Sequence, residues 1–268
     1  MALSRRRFLA GAGLAAGGVL AGASGGPLAR RAFGLDHPPL SGGYASAADV
    51  LADAQSPSTT ITYHVRTDEP LVAFTFDDGP APKWTPMVLD ALDEWQVPAT
   101  FFMVGRNLRR HADVVHGRLD RHEIGNHTWS HPDLATLDLR HAVDEVRRGD
   151  EAIREMTGRA PTLLRPPYGH LGGSTVLAAD KLGYRLVLWS HQMDERRYQR
   201  DPQEQVRAIV DAVQPGSIVL AHDVGQPRRL VALRHLGEMF AGLRARGFRF
   251  VTVSELLAAD QDPATRRP

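Results

Sequence analysis

From Thr60 onward, short runs rich in β-branched and aromatic residues alternate with segments whose apolar residues recur at spacings of three and four. The runs are Leu71–Phe76, Ala99–Val104, Glu123–His127, Thr162–Arg165, Tyr184–Trp189, Ser217–His222 and Phe248–Val253. Between them lie helical patterns at Thr85–Trp95, Asp138–Met156, Ser174–Leu182, Gln203–Val213 and Leu230–Arg246, and a last helix follows Ser254. Strand, helix, strand in this order predicts parallel strands joined by right-handed crossovers, either closed into a barrel or left open. This alternation constrains the chain more than any other feature, because parallel α/β folds build their sites at the carboxyl ends of strands.

The polar residues obey that rule. Asp77 and Asp78 follow the first run, His127 ends the third with His131 four residues on, and Arg165 ends the fourth. Trp189, His191 and Asp194 follow the fifth, and His222 and Asp223 close the sixth. No glycine-rich phosphate loop accompanies them. "GAGLAAGG" lies within the first 29 residues, and "HLGGS" at His170–Ser174 is too isolated a cluster to be a nucleotide fingerprint.

The first 29 residues are a separate matter. "SRRRFL" at Ser4–Leu9, followed by a Gly-broken apolar stretch, reads as a twin-arginine export signal, with cleavage expected at Ala21-Gly22-Ala23 or after Pro27-Leu28-Ala29. The expected organisation is export signal 1–29, flexible lead-in 30–60, one catalytic domain 61–260 and a tail 261–268. The expected location is therefore secreted or at the cell envelope, and the expected partner is the export machinery. There is no cysteine to form a disulfide. A formal net charge of +1 gives no field for nucleic acid.

"HTWSH" sets His127 and His131 at i and i+4, so a helical turn there would put both imidazoles on one face, able to share a metal. A carboxylate from another strand end would complete two nitrogens and one oxygen, with coordination positions left open for chemistry. "FTFDDGPAP" supplies adjacent aspartates, whose mutual repulsion makes sense beside a cation: Asp78 as ligand, Asp77 as general base. Taken alone, Asp-Asp-Gly-Pro is also an ordinary turn.

The ordered series "TFDDGP", "HTWSH", "RPPYG" and "LAHD", with "ATFFMVG" and "HEIGNH" between, resembles the polysaccharide deacetylases, carbohydrate esterase family four, over roughly Leu71 to Ser254. The resemblance implies an α/β fold of one domain, a distorted (β/α)7 barrel, and metal-dependent removal of acetyl groups from N-acetylated sugars. It makes Asp77 the base and Asp78, His127 and His131 the ligands of one divalent metal, zinc first, with cobalt or nickel also compatible. Arg165 would hold Asp77, Pro167 and Tyr168 would wall the groove, and the Tyr168 N–H would face the oxyanion. Leu220 would line the acetyl pocket and His222 would be the general acid.

The chain departs from the family after the fifth strand, where it reads "LWSHQMDERRYQRDP" without the usual Asp-Trp pair. Here Asp194 is expected to orient His222, and Met193 or Tyr198 to replace the apolar wall. His191 is either a second substrate contact or a surface histidine, and Arg196, Arg197 and Arg200 are either an anion-binding patch or a solvated face. The expected protein is a monomeric deacetylase of N-acetylglucosamine units in peptidoglycan, chitin or oligosaccharide. Rival readings are an O-acetyl esterase on xylan, an amidohydrolase on a small N-acyl or cyclic amide, and a non-catalytic glycan-binding barrel.

Overall fold

A computed structural model describes residues 57–261. The expected export signal, most of the lead-in and nearly all of the tail lie outside these residues. Ser58 and Thr59 already bond to Asp180 and to the Tyr184 carbonyl, so the fold's first contacts precede residue 61.

Among the described residues nine strands form one sheet: β1 (Ile61–Thr62), β2 (Leu71–Asp77), β3 (Thr100–Met103), β4 (Glu123–Asn126), β5 (Leu163–Leu164), β6 (Arg185–Val187), β7 (His191–Gln192), β8 (Ser217–His222) and β9 (Arg249–Phe250). The order is β1-β6-β5-β4-β3-β2-β8-β7, with β9 also on β2, and every ladder is parallel. Eight α-helices accompany them among the described residues: α1 (Thr85–Trp95), α2 (Gly105–Arg110), α3 (Leu139–Thr157), α4 (Gly173–Lys181), α5 (Pro202–Ala212), α6 (Pro227–Leu233), α7 (Leu236–Ala245) and α8 (Val253–Ala258). No ladder joins β1 to β7; the bridge between His64 and Ser217 draws the two ends of the sheet together. This curled, incompletely closed sheet is the distorted (β/α)7 barrel expected, in one domain.

The long strands β2 and β8 are mostly apolar on both sides because both faces of the sheet are covered. On β2, Val72, Phe74 and Phe76 pack against the outer helices in a cluster with Leu89, Leu92, Met239 and Phe240. Leu71 and Ala73 point the other way, into the barrel with Phe102, Leu163, Val187 and Ile218. Phe74 meets Phe240 edge-on at 5.2 Å, and Phe76 stacks on Phe101 at 5.3 Å. Burying each such ring contributes about 2–3 kcal/mol. The same alternation sends Thr75 and Asp77 inward, which is how a carboxylate arrives at the mouth of the barrel.

Most helices lie where the periodicity put them, and α1 matches to the residue. The long pattern Leu230–Arg246 is instead two helices. At the break His235 N–H bonds back only three residues, to the Ala232 carbonyl, and its ring Nδ1 pairs with Glu238 at 2.6 Å, starting a new helix. Strands β4, β5 and β6 stop short of His127, Arg165 and Trp189, so these residues lead the loops rather than end the ladders. The two-residue β7 and the short α2 carry no periodicity that sequence could reveal.

One core histidine couples stability to pH. His122 is buried under Phe101, and its Nδ1 accepts the Ala99 N–H at 3.2 Å. Burial pushes its pKa down to about 4 from an ordinary 6.5. Protonation therefore favours the unfolded chain, so this contribution is complete above pH 6.5 and is lost as pH falls toward 4. That lowering is worth roughly 3 kcal/mol at most. Urea unfolding at pH 7.5 and pH 4.5 should show that loss, and His122→Phe should flatten the dependence; an equal slope in the variant would remove His122 as the cause.

Candidate active site

The site forms where β2 and β8, the most extensively paired strands, end together. Their register makes Asp77 and His222 direct partners, so the two side chains emerge side by side on one face. Asp77 is 3% exposed. Beneath it lies Arg165, wholly buried, donating from Nη1 to Asp77 Oδ1 and to Thr75 Oγ1, each at 2.7 Å. Its Nε and Nη2 donate to the Val187 and Leu188 carbonyls at 3.1 and 2.9 Å, and Phe102 lies 4.1 Å from its guanidinium carbon. The arginine thus caps the barrel interior and leaves Asp77 Oδ2 facing the cleft.

Asp78 turns the chain in the left-handed region (φ 76°), and Asn107 Nδ2 holds its carbonyl at 2.8 Å. Gly79 follows because the Asp223 carboxylate packs against it, where any Cβ would collide. Asp223 Oδ1 accepts the Gly79 N–H at 3.1 Å and Oδ2 accepts the Thr85 hydroxyl at 2.6 Å. Burial raises its pKa to about 7, aided by the charges of Asp78 and Asp77 and opposed by the Thr85 bond.

The two histidines come together without the helical turn expected for them. Thr128 and His131 both take left-handed backbone (φ 68° and 64°), and Glu145 on α3 ties the loop through the Ser130 N–H and hydroxyl at 2.8 and 2.9 Å. The guanidinium carbons of Arg109 and Arg148 lie 5.2 and 4.6 Å from the Trp129 ring centroid. The imidazole centroids are 4.9 Å apart. His127 Nδ1 donates to the Arg165 carbonyl at 2.6 Å, and since a carbonyl only accepts, Nε2 keeps its lone pair for the cleft. His127 Nε2 and His131 Nε2 lie 3.4 and 3.0 Å from Asp78 Oδ1.

These three donors are mutually within 4.8 Å, two imidazoles and one carboxylate, which fits a divalent ion of the zinc, cobalt or nickel kind. Burial by itself would raise the Asp78 carboxyl, but the bonds from His127 and His131 outweigh it and hold the group well below the ordinary carboxylate range. Burial also works against charge on His127, yet Asp77 and Asp78 push its pKa up. Among the described residues, four of the six non-glycine positions with positive φ (Asp78, Thr128, His131 and Tyr168) are here, as is common where surrounding structure holds strain at a site.

Trp189, Leu220, Tyr168, Gly169, Pro166 and Arg229 complete a cleft of about 120 Å³ around the acids and histidines. A larger cavity of about 640 Å³ lies at the amino ends of the strands, lined by Thr60, Thr62, Thr162 and Arg185, away from this chemistry.

Several expected roles move to neighbours. Asp194 does not face His222: its Oδ1 caps the Arg197 N–H at 3.0 Å, and it lines a separate groove with His191, Tyr198 and Gln205. Glu195 takes the inward position instead, with Oε1 3.9 Å from His222 Nδ1, a buried atom with no hydrogen-bond partner among the described residues. The chain turns after β7, so neighbouring residues face opposite sides of the loop. Pro167 is buried, and Pro166 lines the cleft in its place. The apolar wall is Trp189, not Met193, which is 3% exposed in the core, nor Tyr198. Arg196, Arg197 and Arg200 are exposed. Tyr168 stands at the rim, 61% exposed, and its N–H has no acceptor among the described residues. Glu145, Asn107, Glu195 and Arg229 carry no sequence signal of their role, since only tertiary contact gives them one.

The sequence model for polysaccharide deacetylases matches residues 64–187. A peptidoglycan-N-acetylglucosamine deacetylase of Bacillus cereus is 36% identical over 210 residues, covering 78% of this chain and 98% of that protein. A chitooligosaccharide deacetylase of Bradyrhizobium sp. is 35% identical over 198 residues, covering 69% and 90%. The crystal structure of the Bc1960 peptidoglycan N-acetylglucosamine deacetylase superposes with a TM-score of 0.69 at 28% identity, over 73% of this chain and 92% of that one. With fold, motif order and relatives in agreement, the chain belongs to the polysaccharide deacetylase family, carbohydrate esterase family four.

Proposed function

We propose that this protein is an exported, metal-dependent hydrolase that removes acetyl groups from N-acetylglucosamine units of peptidoglycan or a chitin-type oligosaccharide. The observation that carries the reading is the pairing of Asp77 and His222 across β2 and β8, beside the Asp78–His127–His131 cluster. The relatives' activities on peptidoglycan and chitooligosaccharides support the substrate class. The twin-arginine pattern at Ser4–Leu9 supports export.

When bound, the divalent ion supplies Lewis-acid activation of water and of the acetyl carbonyl. Asp77 is fixed by Arg165 at Oδ1, so its Oδ2 accepts the proton from the attacking water. The Tyr168 N–H, which has no acceptor among the described residues, would donate to the oxyanion that develops on the carbonyl. Leu220 and Trp189 give the cleft one apolar side, and its volume of about 120 Å³ suits an acetyl group rather than a long acyl chain. His222 points Nδ1 at Glu195, which leaves Nε2 to protonate the departing amine.

The test is acetate release by full-length protein from peptidoglycan, chitooligosaccharide and acetylated xylan, after chelation and again with zinc added. Zinc-restored release from the N-acetyl substrates, with little from xylan, is expected; preference for xylan would make the protein an O-acetyl esterase. His222→Ala should slow amide hydrolysis by about 10²- to 10⁴-fold. An activated acetyl ester should suffer less, because its leaving group needs no proton. Equal loss on both would take the acid role from His222.

A further inference from the structure

Arg229, on α6, reaches back into the cleft from a segment that the sequence motifs do not include. Its Nη1 donates to the Val224 carbonyl at 2.6 Å and lies 3.4 Å from Asp78 Oδ2. The side chain is about one-fifth exposed, as is that of Asp78. Gly225 makes room for it: the backbone there has φ +111°, and an added Cβ would sit 2.7 Å from Nη1. The loop after β8 is therefore shaped around the arginine.

The two oxygens of Asp78 consequently have different partners. Oδ1 faces both imidazoles, and Oδ2 faces Arg229. We propose that Arg229 is a positioning residue that keeps Asp78 a one-oxygen ligand of the metal. The inference rests on the reading of Asp78, His127 and His131 as metal ligands and goes beyond it. A carboxylate freed at Oδ2 can turn and offer both oxygens to an ion. The second oxygen would occupy a position that an active hydrolytic site keeps for water and substrate. Loss of a neighbouring positive charge also favours the cation. Removing Arg229 thus tightens the metal and slows the reaction together, a combination that a merely structural role does not produce.

The experiment uses full-length protein and Co²⁺ alone. Its affinity is measured by chelator competition and its visible absorption recorded for wild type, Arg229→Leu and Arg229→Lys. Arg229→Leu should bind Co²⁺ on the order of 10-fold tighter, because the positive charge that competes with the ion for Asp78 is gone, with the weaker absorption of a higher coordination number, and should lose turnover at unchanged KM. Arg229→Lys, which restores a donor, should return toward wild type on all three readouts. Unchanged affinity and spectrum in Arg229→Leu, with wild type binding Co²⁺, would overturn the proposal while leaving the metal site standing. Wild type that binds no Co²⁺ would overturn both.

Discussion

Asp77→Asn should lower kcat by about 10²- to 10⁴-fold while zinc binding persists. Asparagine keeps an oxygen for the Arg165 guanidinium and fills the same volume, so the barrel mouth and the Asp78–His127–His131 cluster retain their shape. What disappears is the basic oxygen beside His127, 3.9 Å from its Nε2. Asp78→Ala separates the roles, because it should lose zinc and turnover at once. Zinc titration with parallel acetate-release kinetics on both variants reads the difference. Asp77→Asn with turnover near wild type would remove it from the role of base and shift attention to His222.

The largest effect on stability should come from Arg165→Met. Both members of the Arg165–Asp77 pair are buried, and their 2.7 Å bond is one of four that the guanidinium donates. Truncating the cation strands a carboxylate and two strand-end carbonyls, and breaking such a pair costs about 3–5 kcal/mol. That is a large share of a typical domain stability of about 5–15 kcal/mol. The double variant Arg165→Met/Asp77→Asn should be more stable than Arg165→Met alone, because no uncompensated charge remains. Urea denaturation of metal-free protein measures the cycle. A loss below about 1 kcal/mol in Arg165→Met would mean that Asp77 does not depend on the pair.

The residue types that do chemistry were legible because chemistry demands them whatever surrounds them. Asp77, Asp78, His127, His131, Arg165 and His222 stand at or just beyond strand ends, and a parallel α/β chain must send strand ends to one face. The hydrophobic period likewise located most of the helices, though not the break at His235 or the short α2, since burying one face of each is a local requirement written every three or four residues.

Tertiary structure decided the rest. Whether the sheet closes depends on how the edge strands β1 and β7 approach, which no local period encodes. The loop that turns Glu195 rather than Asp194 toward His222 is set by the pairing of β7 with β8, a contact between segments some 28 residues apart. Glu145 under the histidine loop, Trp189 in the cleft wall and Arg229 on Asp78 are ordinary residue types placed by distant backbone. A sequence carries the identities of groups that can react. Their distances and unshared lone pairs exist only once the chain has closed around them.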